Sequence, residues 1–172
     1  MVAITLEARD ALHRRLKAAD EGWAHFGRFP GSESYRFGYF DLLGRILLLA
    51  GDEPIEYLSA KCSTPRHDPQ TGEVIALTES SVISAKAELR GDTQATVKAH
   101  TYSRSEIAKV EILESGIYSS DIIATVPHSI LVTTEANGDM TLPLSDVRAN
   151  DADQIWDVLD SLLADVRRAC SR

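Results

Sequence analysis

Cysteine is nearly absent. Cys62 and Cys170 are the two in 172 residues, too few for a disulfide framework and without zinc-ligand spacing. Long apolar runs are missing as well. The longest, Ile46-Leu47-Leu48-Leu49-Ala50, is far short of the roughly 20 residues that cross a bilayer. The opening Met1-Val2-Ala3-Ile4-Thr5-Leu6-Glu7 has no basic stretch leading into an apolar one, so no secretory signal is read. Positive charge is scarce: the net charge is −8, spread along the chain with no basic lobe. Nucleic acid demands a positive footprint for its phosphates, and an acidic chain is repelled by anionic membrane surfaces. These absences predict a reduced, cytoplasmic protein that binds neither nucleic acid nor membrane.

Catalytic signatures are also missing. The five histidines, His13, His25, His67, His100 and His128, stand at no recognised ligand spacing from one another or from Cys or acid. There is no Gly-x-Ser-x-Gly elbow, no phosphate-cradling glycine loop and no dinucleotide fingerprint. The chain is read as non-enzymatic, with no metal and no cofactor.

What the sequence does hold is strand pattern between helices. The length suits one domain with its own core. Residues 5–20 read as a helix, with Leu12, Leu16 and Ala19 on one face. Residues 39–50 read as a second helix ending at Gly51, with a buried strand over 45–50 as the competing reading. Ile55–Ser63 reads as a first strand, and two apolar strand-like runs follow it, broken by a polar turn at Glu79-Ser80-Ser81; the second has period two. Ile83, Ala85, Ala87 and Leu89 alternate with Ser84, Lys86 and Glu88; Val97 and Val110 lead similar runs. Asn137-Gly138 signals a tight hairpin. About seven short strands follow one another before Asp151 opens an amphipathic helix carrying Ile155, Leu159, Leu162 and Val166.

Aromatics are few but clustered. Seven of the eleven fall between residues 23 and 40. Two readings stand. The rings pack the N-terminal helix onto the sheet, or they form a surface for a protein partner or a second copy. On the second reading Trp23, Phe26 and Phe29 are the interface of a homo-oligomer.

Gly72-Glu73-Val74-Ile75-Ala76-Leu77-Thr78 followed by Val82-Ile83 resembles the opening hairpin of bacterial pleckstrin-homology-like domains. Tyr102-Ser103-Arg104-Ser105-Glu106-Ile107-Ala108-Lys109-Val110-Glu111 is similar to their entry into a middle strand. The resemblance spans residues 52–170, with Ser81 where many members carry a basic residue. It implies an α+β fold: a helical extension over 1–51, then a β domain over 52–172 with a curved antiparallel seven-stranded sheet or barrel and a C-terminal helix. It also implies a non-catalytic binding or scaffolding module with a protein partner. Two alternatives stay open. One is a helix-grip fold with a cavity for a small apolar ligand. The other is weak recognition of an anionic headgroup, for which Lys61 and Arg66 at the first inter-strand loop would supply the cations.

Overall fold

The chain folds as α+β; the described residues form three α-helices and seven strands in two antiparallel sheets. The computed structural model describes residues 4–27, 33–63, 69–90, 95–117, 125–135, 138–144 and 151–170. It divides into two units, Met1–Tyr102 and Ser103–Arg172. The division falls at 102/103 and not at 51/52, because the helices before residue 51 share one core with the strands after it.

In the first unit α1 spans Leu6–Ala19. Thr5 caps it, its hydroxyl accepting from the Ala8 amide at 3.1 Å, which satisfies one of the open donors of the first turn. Helix α2, Glu33–Ala50, starts earlier than its sequence pattern suggests and takes in most of the aromatic cluster. Leu42, Leu43, Ile46 and Ala50 are buried at helical spacing, which decides against a strand over 45–50. Gly51 ends the helix with φ +63°, a conformation glycine adopts without strain.

Strands β1 (Tyr57–Cys62), β2 (Gln70–Leu77), β3 (Ser81–Leu89) and β4 (Thr96–Ser103) form one sheet in chain order. The Glu79-Ser80-Ser81 turn is where sequence pattern puts it. Thr78 closes it, its amide donating to the Ser81 carbonyl at 2.9 Å.

The face of this sheet that meets α1 and α2 is floored with small side chains. Ala60, Gly72, Ala76, Ala85 and Ala87 stand among Leu58, Val74, Ile83 and Leu89. A floor of alanines leaves volume that must be filled from above, since interiors close to crystal density. Trp23, Phe26, Tyr35 and Tyr39 from the aromatic cluster fill it. Trp23 and Phe26 lie with ring centroids 4.5 Å apart, and Tyr39 stands 6.1 and 5.7 Å from them. At Gly72 the fit is tight: a Cβ there would stand 2.7 Å from Trp23 Cη2 and 2.8 Å from Phe26 Cζ. This corrects the partner-interface reading of both residues. Trp23 is 0% and Phe26 2% exposed, so neither has surface to offer a second chain. Phe29 lies outside the described residues.

The second unit holds β5 (Ile107–Ile117), β6 (Thr125–Thr134), β7 (Gly138–Leu142) and α3 (Asp151–Ala169). Its sheet runs β5-β6-β7, and α3 packs on β5 and β6 through Ile155, Leu159 and Leu162. Strand β5 carries through Ser115-Gly116, with register shifts against β6 at Ile107/Lys109, Ile112/Glu114 and Glu114/Ser115. The Thr134↔Gly138 pairing and the φ of +71° at Gly138 agree with the hairpin signal there; Asn137 lies outside the described residues. One expectation is corrected. The seven strands do not form a single curved sheet or a closed barrel; they split four and three. A one-turn 3-10 helix over Arg104–Glu106 interrupts the extended backbone between β4 and β5. Ser103 caps it, accepting from the Ser105 amide at 3.2 Å.

Candidate functional site

Strand alternation sends Lys61, Glu73, Lys86 and Lys98 to the face of the first sheet opposite the alanine floor. That face is divided. Tyr57, Ile75, Leu77 and Val82 are buried on it, while the charged residues gather nearer the other ends of the strands. Register aligns three of them into one rung, Lys61↔Glu73↔Lys86. The Glu73 carboxylate spans the rung. One oxygen accepts from Lys61 Nζ at 3.1 Å and the other from Lys86 Nζ at 2.7 Å.

These side chains line an open groove of about 500 Å³, together with Cys62, Ser63, Thr71, Glu88, Thr96 and Lys98. Glu88 is engaged by Arg90, whose Nε donates at 2.7 Å. Among the described residues Lys98 has no carboxylate within ion-pair distance. Among the described residues, three ammonium groups therefore line the groove with two carboxylates. Over a Debye length of roughly 8 Å this local balance outweighs the distant net charge.

Two titratable groups here are perturbed. Partial burial pushes the Glu73 carboxyl up, but hydrogen bonds and charge from Lys86 and Lys61 outweigh it and hold the group below its ordinary value. Cys62 is half-buried, and that burial, with the charge of Asp20, pushes its thiol up to about 12. Asp20 is fixed there by accepting from the Cys62 amide at 3.1 Å and the Gly22 amide at 2.8 Å. A thiol so raised stays protonated and is a poor nucleophile at neutral pH. Iodoacetamide at pH 8 is accordingly expected to label exposed Cys170 first and Cys62 at least about tenfold more slowly. Peptide mass spectrometry with Cys62 modified first would overturn this.

Of the cations expected at the first inter-strand loop, Lys61 lies in the groove and Arg66 lies outside the described residues. Sequence reading did not single out Lys86 or Lys98. The period-two pattern puts them on the polar face, but the rung they complete depends on register across three strands. Lysines at a groove wall can hold carboxylates or phosphates. Among the described residues no three His, Cys, Asp or Glu side chains are grouped to hold a metal ion, and no helix is long and apolar enough to cross a membrane. The sequence matches no family model and no curated protein.

Proposed function

We propose that this chain is a non-catalytic binding module of pleckstrin-homology-like kind whose partner is a protein, gripped by an acidic segment lying in the lysine groove. The observation that carries the reading is the cross-strand rung itself, in which a carboxylate already sits between Lys61 and Lys86. That arrangement supports a carboxylate-bearing ligand. Element order adds support in part: antiparallel strands followed by a C-terminal helix agree with the resemblance, while the division of the strands four and three does not. A multiply phosphorylated headgroup is the weaker occupant. Its charge calls for a denser cation cluster, and Glu73 and Glu88 both line this groove. The net charge of −8 also opposes approach to an anionic bilayer. The apolar-ligand reading has less support, because the groove is open and charged whereas apolar ligands need enclosure.

Fluorescence anisotropy with a labelled oligoglutamate peptide tests this. Saturable binding is expected, absent for oligoglutamine, and weakened about tenfold by Lys98→Met or Lys61→Met, the scale of one charge-assisted contact. Phosphatidylserine vesicles at physiological salt are expected to leave the protein in the supernatant. Peptide binding that ignores both lysine substitutions would defeat the proposal, as would sedimentation with the vesicles in place of peptide binding.

A further inference from the structure

We propose that Glu73 is the groove's resident anion, a tethered carboxylate that an incoming acidic segment displaces in order to reach Lys61 and Lys86. This rests on the groove being the receptor for such a segment. Both oxygens of Glu73 are engaged, one on each lysine, at 3.1 and 2.7 Å. Those are the separations a ligand carboxylate would take up. The carboxylate occupies the subsite, but the lysines are not consumed by it: their side chains are 50% and 65% exposed, against 22% for Glu73. Each ammonium has three donors and turns freely. Ion pairs this open to water are weak and easily exchanged.

Two carboxylates line the groove, and they differ in kind. Glu88 is held by Arg90 beside it. Only Glu73 sits on groove lysines among the described residues. Lys98 is the cation left to make first contact. A ligand with a single acid can be satisfied there with Glu73 still in place. A ligand with several acids gains two further ammonium groups once Glu73 swings out. The device therefore selects for acidic runs over isolated acids, and it keeps Lys61 and Lys86 paired when the groove is empty.

The comparison of Glu73→Gln with Glu88→Gln isolates the effect, since each removes one negative charge from the groove. Anisotropy titrations of the full chain with labelled oligoglutamate at fixed ionic strength are expected to show Glu73→Gln binding about 3- to 30-fold tighter than wild type, the range that two exposed ion pairs can withhold. Glu88→Gln is expected to change affinity less than about twofold. If wild type binds saturably and Glu73→Gln binds no tighter, Glu73 is not a competitor and the inference falls while the groove reading stands. Equal gains from both substitutions would also overturn it, leaving a general field effect. If neither wild type nor Glu73→Gln binds the peptide, the groove reading itself fails. Far-UV circular dichroism melts of each variant establish that the fold is intact, which the near-isosteric change to glutamine is expected to preserve.

Discussion

Asp165→Ala is expected to destabilise the second unit by about 3–5 kcal/mol, the usual cost of leaving a buried charge without its partner. Arg104 lies in the 3-10 turn that opens this unit, and its side chain is 5% exposed; that of Asp165, on α3, is 7% exposed. The guanidinium donates to one Asp165 oxygen from Nε at 2.7 Å and from a terminal nitrogen at 2.6 Å. It also donates to Ser161 Oγ at 2.5 Å. The other Asp165 oxygen takes Arg168 at 2.5 Å. Removing Asp165 takes away the carboxylate that the buried Arg104 guanidinium meets, while Ser161 Oγ stays among its acceptors. The pair need not be a net source of stability, because desolvation offsets its attraction. Arg104→Met with Asp165→Leu together should therefore recover most of the loss. Urea denaturation of the three proteins checks both statements. A single-variant loss below about 1 kcal/mol would mean that water reaches the pair, as for a surface bridge.

Trp23→Ala is expected to cost about 3–5 kcal/mol, the range for emptying an aromatic site in a core. Trp23 is fully buried over Gly72, and the alanine floor around it cannot collapse far to close the void. Its indole Nε1 is buried and meets no hydrogen-bond partner among the described residues, so the loss is one of packing. Gly72→Ala alone is expected to cost about 1–3 kcal/mol by overpacking against the same ring. In the Trp23→Ala background that penalty should shrink or reverse, since residues in contact are not additive. Denaturation midpoints for the four proteins of this cycle decide it. Light scattering of Trp23→Ala separates core from interface: an unchanged mass with lost stability agrees with burial, while a wild-type oligomer that dissociates without loss of stability would restore the interface reading.

Much of the fold was legible in the sequence because it rests on local signals. Thr5, Gly51, the Glu79-Ser80-Ser81 turn and the glycine at 138 punctuate elements through backbone chemistry that acts over a few residues. Period-two alternation from Ile83 to Leu89 told inside from outside. What escaped depends on long-range pairing. The four-and-three division of strands coincides with a 3-10 turn at Arg104–Glu106, whose letters sit inside an otherwise strand-like run. The Arg104–Asp165 pair joins residues 61 positions apart, with no local mark on either. The lysine rung needs the register of three strands at once. The aromatic cluster was visible, but its purpose was not, because the alanines that demand it lie on strands β1 to β3, beyond the reach of any local window.

That alanine floor bears on how the chain can be divided into modules. Composition alone invites a cut near residue 51, with helices on one side and a self-sufficient β domain on the other. A fragment begun there would carry a sheet face made of Leu58, Ala60, Gly72, Val74, Ala76, Ile83 and Ala85 with its complement deleted. Small side chains cannot interdigitate to shield such a surface, and an uncovered apolar sheet invites association with its own copies. The first fifty residues are half of a mould and its casting. Any recombination, truncation or fusion that respects this protein has to keep them with strands β1 to β4.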